Sequence, residues 1–213
     1  MVDPTPYRQF VRCGMLTQML AAANNEVRTK FTMLFLFTYV FLLRLPSEAL
    51  PAIVANEPLP SKQTVVIVKG ELVRVHLNRR KNKLNGSVLE RTCWCTRDKI
   101  SALCPTHTLG HWLKQIPCGC APFAGISSAH ANDMLRNFLR DVCLVSNSKE
   151  YKSHDIRRGH ADDLRLSGAS LVEILRASEW RSPAFMDYLN HQDLERDAVV
   201  QAHVEDSSSE DDV

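Results

Sequence analysis

Residues 31–43 are almost all apolar and form the strongest hydrophobic segment of the chain. A bilayer crossing needs about 20 such residues, and this segment is followed at once by Arg44 and Pro46. The pattern therefore predicts a buried core helix over residues 28–44, which Pro46 ends. Arg44 is predicted in the last turn of this helix. There it either reaches out of the core into a cleft or only caps the helix C terminus, an end that favours cations.

Alternating and β-branched residues follow downstream. Residues 64–68 and 71–77 predict two strands joined by a tight turn at Lys69-Gly70, and a third short strand is predicted near residues 88–91. Together they form a three-stranded antiparallel β-meander. Residues 78–83, between the second and third strands, read Asn-Arg-Arg-Lys-Asn-Lys. Such a basic loop tip is typical of a solvated, phosphate-binding surface.

The rest of the pattern is helical. Ser170 and Glu173 form a capping box after the stop signal Gly168, and Ser182 followed by Pro183 is a favoured N-cap and first-turn pair. The fold class is therefore α+β and mainly helical, with one domain over residues 1–204 that is long enough to bury a core. Helices are predicted over about residues 7–23 and from Thr108, Ala129, Asp155, Leu171 and Pro183.

Charge is distributed unevenly along the chain. The net charge is only +2, but residues 205–213 carry five of the 24 acidic residues and no basic ones. The other residues hold 26 basic and 19 acidic side chains, a net charge of +7. We expect the acidic tail to be disordered and the remainder to bind phosphate. Seven cysteines without a charged, apolar leader predict an intracellular protein in a reducing compartment, neither secreted nor anchored in a membrane.

An imidazole, a guanidinium and a phenol follow one another in the C-terminal part. His154 and Arg157 stand three apart, which places them on one face of a helix, and Tyr188 comes 31 positions after Arg157. A phenol attacks a phosphate poorly unless cations surround that phosphate and a proton donor meets the departing alkoxide. An arginine fork can hold two phosphate oxygens and keeps its charge. This set suits the cleavage of a DNA strand.

The segment from His154 to Leu189 resembles the C-terminal half of a tyrosine recombinase of the phage-integrase family. Two motifs carry the resemblance, Arg-Arg-Gly-His-Ala at 157–161 and Trp-x-Ser-x-Ala-Phe-x-x-Tyr at 180–188. Both are most similar to the recombinases of Crypton-type and DIRS-like eukaryotic mobile elements. The resemblance implies an integrase-like, DNA breaking-rejoining catalytic domain that acts in the nucleus on double-stranded DNA as a homo-tetramer, with no cofactor.

The resemblance also implies a role for each matching residue. Tyr188 would attack the DNA and form a 3′-phosphotyrosyl bond. Arg44 and Arg157 would clamp the phosphate, and His154 would assist proton transfer. Lys81, with Lys83 in reserve, would protonate the leaving 5′ oxygen. Trp180 would pack against the scissile phosphate and donate a hydrogen bond to it, although a plain core indole is an equal alternative.

The chain departs from the family pattern in three places. Glu48, the carboxylate expected to hold Arg44, follows it by four residues instead of three. Glu179 occupies the position nine before Tyr188, where many members have His or Trp. An N-terminal clamp domain has no room before Tyr7, so the chain is expected to be a fragment, a truncated element or a partner of another polypeptide. His160, a conceivable proton shuttle, is expected to be structural.

Three hypotheses follow for function. The leading one is site-specific recombination or integration by the tyrosine mechanism. The second is a catalytically inactive, domesticated DNA-binding relic of the same fold. The third is a topoisomerase that uses the same chemistry to relax supercoils.

The cysteines form a separate pattern. Cys93 and Cys95, then Cys104 and His107, give C-x-C, eight residues and C-x-x-H, which could hold a structural zinc ion. The alternative is a set of buried, reduced thiols beside an ordinary helix start at Cys104. Because the tyrosine mechanism needs no metal, any zinc here is expected to be structural.

Overall fold

The computed structural model describes residues 9–59, 63–78 and 86–178. Helices and a small sheet share one large apolar core, so the α+β, mainly helical class is confirmed. The helices are α1 (Cys13–Ala21), α2 (Glu26–Val40), the short α3 (His111–Leu113), α4 (Ser128–Asp141), α5 (His154–Leu166) and α6 (Leu171–Ser178). The strands are β1 (Ile53–Val54), β2 (Thr64–Lys69), β3 (Leu72–Leu77) and β4 (Ser87–Thr92). None of the helices within these ranges is long and apolar enough to cross a membrane.

Helix α2 forms the centre of the core. The side chain of Asn25 caps its N terminus by accepting a 2.9 Å hydrogen bond from the backbone of Arg28. Every residue from 31 to 40 is buried, which agrees with the predicted core helix. Each large apolar side chain removed from water there contributes about 1.5–3 kcal/mol to stability.

The predicted C-terminal end of this helix was wrong. Helix α2 ends at Val40, and Leu42 turns the chain with a φ of +51°. The backbone N–H of Leu43 closes the end by donating to the carbonyl of Thr38. Leu42 accepts this left-handed conformation because its side chain is fully buried against α5 and α6. Arg44 therefore lies beyond the helix, in extended backbone.

The sheet has the order β1-β2-β3-β4. Strands β2, β3 and β4 form the predicted antiparallel meander, with Val75 opposite Val66 on one side and Leu89 on the other. Gly70, with a φ of +56°, supplies the left-handed residue that the tight turn needs. The two-residue strand β1 was not predicted. It pairs in parallel with β2, and its brevity gives no alternation that a sequence pattern could reveal.

Two helix boundaries also differ from the predictions. Helix α1 begins at Cys13, later than predicted, because residues 9–12 are not helical and Val11 donates its N–H to the carbonyl of Asp155 on α5. The segment after Cys104 first forms a π-helical turn (Pro105–Gly110), which α3 continues. The helices predicted from Ala129, Asp155 and Leu171 are present within one residue of the expected starts.

Candidate active site

The first turn of α5 carries His154 and Arg157. Hydrogen bonds from α4 and from Asp155 stabilise its position. The side-chain oxygen of Asn132, on α4, accepts a 2.7 Å hydrogen bond from the backbone N–H of Ser153. Asp155 accepts from the backbone of Lys152 at 2.8 Å and pairs with the guanidinium of Arg158 at 2.9 Å. The acidic side chain also suits the positive end of the helix dipole. The start of α5 is thus held in one position.

Arg44 approaches from the connection between α2 and a second π-helical turn (Leu45–Ala49). Glu48, which is only 2% exposed, accepts hydrogen bonds from the backbone N–H of Arg44 at 2.8 Å and from its Nη1 at 3.4 Å. The π-helical turn closes through bonds from residue i+5 to residue i, as from Ala49 to Arg44. This wider turn accommodates the extra residue before Glu48, so the Glu48 carboxylate still reaches Arg44.

The electrostatics of His154 link these residues. Burial, followed by the positive charges of Arg158, Arg157 and Arg44, lowers the pKa of His154 to about 4. The imidazole is therefore neutral at neutral pH. Arg44 is close enough for its charge to act on a side chain of α5, which is 110 residues away in sequence. The structure thus brings Arg44, His154 and Arg157 into one cluster, in which Glu48 pairs with Arg44 and Asp155 with Arg158.

Exposure differs sharply within this cluster. The side chain of Arg44 is 32% exposed, whereas Arg157 is only 2% exposed. Arg44 can therefore contact a ligand from solvent as it stands. Direct contact between Arg157 and a phosphate requires the groups that cover Arg157 to move when the ligand enters.

His160 lies deeper on α5. It is 5% exposed, its Nδ1 is 2.5 Å from the carbonyl oxygen of Tyr39, and its ring stacks on the Tyr39 ring at 4.3 Å. Burial lowers its pKa to about 4. The imidazole is a packed, neutral core side chain, as expected for a structural histidine.

Sequence reasoning missed the structural roles of two arginines. Arg158 acts on His154 and is held by Asp155; its place beside Arg157 was the available signal. Arg91, on β4, donates to the carbonyls of Val40 at 3.1 Å and Ala177 at 3.0 Å. It thereby joins the ends of α2 and α6, and nothing in its local sequence indicated this role.

Other predicted residues lie outside the described part of the chain. These are the nucleophile Tyr188, Trp180 with its neighbour Glu179, the candidate acids Lys81 and Lys83, and the acidic tail 205–213. Of the expected site, the described part of the chain therefore contains Arg44, His154 and Arg157. It contains cations and a neutral imidazole, which can bind a phosphate and pass a proton.

The four zinc candidates do come together. Cys93, Cys95, Cys104 and His107 each direct a ligand atom to one point, with these atoms within 4.8 Å of one another.

Two solved structures resemble this fold across most of the chain. One is the XerH site-specific recombinase bound to its difH substrate in a pre-cleavage complex, with a TM-score of 0.59 and 13% sequence identity over 89% of this chain. The other is XerH bound to a palindromic difH substrate in a post-cleavage complex, with a TM-score of 0.58 and 13% identity over 91% of this chain. The fold is that of a tyrosine recombinase.

The match has limits in length and in sequence. The chain corresponds to 52% and 53% of the two XerH chains, about half their length. No family model and no curated protein matches the sequence.

Proposed function

We propose that this chain is a tyrosine recombinase catalytic domain that cuts and rejoins double-stranded DNA. The observation that carries the proposal is the convergence of Arg44 on His154 and Arg157, within a fold shared with a site-specific recombinase. Arg44 comes from a segment 110 residues away and keeps 32% of its side chain exposed, so its guanidinium is within reach of a phosphate that arrives from solvent.

In the proposed reaction the Tyr188 oxygen attacks a DNA phosphorus atom. A 3′-phosphotyrosyl bond forms, the bond to the 5′ oxygen breaks, and Lys81 gives that oxygen a proton. Arg44 and Arg157 stabilise the charge that develops on the phosphate, and neutral His154 donates a hydrogen bond or relays the proton from Tyr188. Trp180 adds a hydrogen bond to the phosphate. The covalent link conserves the bond energy, so rejoining needs no nucleotide cofactor.

The finer parts of the proposal rest on the sequence motifs. The sequence 157–161 and the ending at 180–188 support an origin in a Crypton-like or DIRS-like mobile element and, with it, action in the nucleus. Strand exchange between two duplexes would use a homo-tetramer. DNA integration is the form of recombination that such an element needs.

A covalent trapping assay tests the chemistry. Purified protein is incubated with nicked and random duplexes whose cleaved strand diffuses away, and SDS-resistant protein-DNA adducts are counted. We expect an adduct with the wild type and with Tyr7→Phe, a matched removal of another phenol, and none with Tyr188→Phe. Arg44→Lys should lower the adduct yield at least tenfold, because the bidentate fork is lost, whereas Arg74→Lys, an exposed residue paired with Glu90 on the sheet, should not.

The same assay separates the alternatives. Salt-sensitive DNA binding without an adduct, on every substrate, would favour the inactive DNA-binding relic. An adduct accompanied by relaxation of supercoiled DNA without a partner site would favour the topoisomerase. An adduct that persists in Tyr188→Phe would refute the assignment of the nucleophile.

A further inference from the structure

Four potential metal ligands converge where the sheet meets the connection to α3. Cys93 and Cys95 follow the end of β4, Cys104 is the N-cap of the π-helical turn Pro105–Gly110, and His107 lies within that turn. The Nδ1 of His107 is 3.3 Å from Sγ of Cys93 and 3.4 Å from Sγ of both Cys95 and Cys104. The sulfurs of Cys93 and Cys104 are 3.7 Å apart. The set joins segments that are eleven residues apart in sequence.

These separations match the edges of a zinc tetrahedron. With Zn–S bonds of about 2.3 Å and a Zn–N bond of about 2.05 Å, a regular tetrahedron has S···S edges of about 3.8 Å and S···N edges of about 3.6 Å. The observed 3.7 Å and 3.3–3.4 Å lie within 0.3 Å of those values. An ion at the centre would therefore bond to all four atoms after very small movements.

Two metal-free explanations fit less well. A disulfide between Cys93 and Cys104 requires sulfurs about 2.05 Å apart, far closer than the 3.7 Å seen. Thiol hydrogen bonds also fail to account for the cluster, since a ring nitrogen can accept only one hydrogen and three sulfurs lie within 3.4 Å of the same Nδ1.

Backbone N–H groups surround the sulfurs. Trp94 and His107 direct theirs at Sγ of Cys104, at 3.5 and 3.4 Å. Cys95 directs its N–H at Sγ of Cys93 at 3.3 Å, and Ser101 directs its N–H at Sγ of Cys95 at 3.4 Å. Donors placed in this way stabilise thiolates and orient them as metal ligands, an arrangement that isolated thiols do not require.

We propose that Cys93, Cys95, Cys104 and His107 bind one structural Zn²⁺ ion. Three thiols lose their protons to solvent on binding, and the four protein ligands leave no open position for a substrate. The ion would fix the end of β4 to the π-helical turn. It would also hold Trp94, whose ring meets that of His160 edge-on at 5.9 Å, against α5. The proposal is independent of the proposed DNA chemistry.

Metal content gives the first test, and the chain offers a matched control. Cys118 and Cys120 form a second C-x-C pair with exposed side chains. After purification in zinc-containing medium and removal of free metal, the wild type and the double variant Cys118→Ser, Cys120→Ser should each contain one zinc per chain. The double variant Cys93→Ser, Cys95→Ser should contain less than a tenth as much. Equal zinc in the two double variants, or none in the wild type, would overturn the proposal.

Cobalt spectroscopy tests the ligand set without relying on a destabilised fold. Replacement of zinc by Co²⁺ should give the strong visible bands of tetrahedral cobalt and a near-ultraviolet thiolate charge-transfer band. His107 is exposed, so its substitution removes little packing. His107→Cys should keep a tetrahedral spectrum with stronger charge transfer, whereas His107→Ala should weaken cobalt binding at least tenfold. Identical spectra and affinities in all three proteins would exclude His107 as a ligand.

Discussion

Gly159 offers the most demanding test of how α5 is placed. The backbone of Val11 crosses α5 so closely that a Cβ on Gly159 would lie 1.8 Å from the Val11 oxygen and 2.4 Å from its carbonyl carbon. Carbon–oxygen contacts normally begin near about 3.3 Å. Gly159→Ala therefore has to push Val11 about 1.5 Å away from the helix.

The expected loss of stability follows from the contacts that Val11 makes. Its N–H donates to the carbonyl of Asp155 at 2.9 Å, and its side chain is fully buried. Losing that hydrogen bond costs about 1 kcal/mol, and losing the burial of the valine side chain costs about 1.5–3 kcal/mol. We expect Gly159→Ala to lower the free energy of unfolding by about 2.5–4 kcal/mol, a large share of the total for a typical domain.

Urea denaturation measured by circular dichroism provides the assay. Gly14, in the first turn of α1, is the matched control, because a Cβ there would meet nothing within 4 Å. Gly14→Ala should leave stability unchanged or raise it by up to about 1 kcal/mol. A Gly159→Ala protein within 1 kcal/mol of the wild type would refute the close crossing of Val11 over α5.

Three further predictions address the surroundings of the site. Glu48→Gln removes the charge that holds Arg44 and should lower stability by about 1–2 kcal/mol, measured by urea denaturation; an unchanged midpoint would argue against the pairing. His160 has its pKa lowered from 6.5 to about 4 by burial, so the unfolded chain binds more protons in that range and stability falls as pH drops from 6.5 towards 4. His160→Phe should reduce this fall by up to about 3 kcal/mol, and parallel profiles for the two proteins would contradict the shift. Ser170→Ala should cost about 1 kcal/mol, because Ser170 and Glu173 cap α6 reciprocally at 2.7 and 3.3 Å; retained stability would show that this cap contributes nothing.

Local patterns predicted much of the fold because their physical causes are local. The turn at Gly70, the stop at Gly168 and the capping box at Ser170 are each set by a few neighbouring residues, and all three are present. Alternation likewise located the meander to within a residue or two. The end of α2 was missed because Leu42 turns there to fill a pocket against α5 and α6, a cause that lies more than 100 residues away in the chain.

In the candidate site, too, the features with local causes were predicted and those with long-range causes were missed. Spacing along one helix placed His154 and Arg157 together, and a C-x-C and a C-x-x-H motif indicated the cysteine cluster. The approach of Arg44 to α5 depends on tertiary packing. The contact between Glu48 and Arg44 depends on a π-helical turn, which is a rare helical geometry. No periodicity in the sequence encodes either feature. The low exposure of Arg157 could not be foreseen for the same reason.

The structure also changes how strongly the motif at 157–161 supports a catalytic function. Gly159 is needed for the crossing of Val11, His160 stacks on Tyr39 and approaches its carbonyl, and Ala161 packs against Leu42. These three residues support the fold whether or not the chain cuts DNA, so an inactive relic would be under the same physical pressure to keep them.

The residues that distinguish an enzyme from a relic are therefore those with no packing purpose. Arg44 keeps a third of its side chain exposed, although Glu48 pairs with its guanidinium. Burial, together with the charges of the nearby arginines, lowers the pKa of His154, so this residue makes the protein less stable as the pH falls below 6.5. A covalent adduct that Tyr188→Phe abolishes is therefore the observation that decides between the enzyme and the relic.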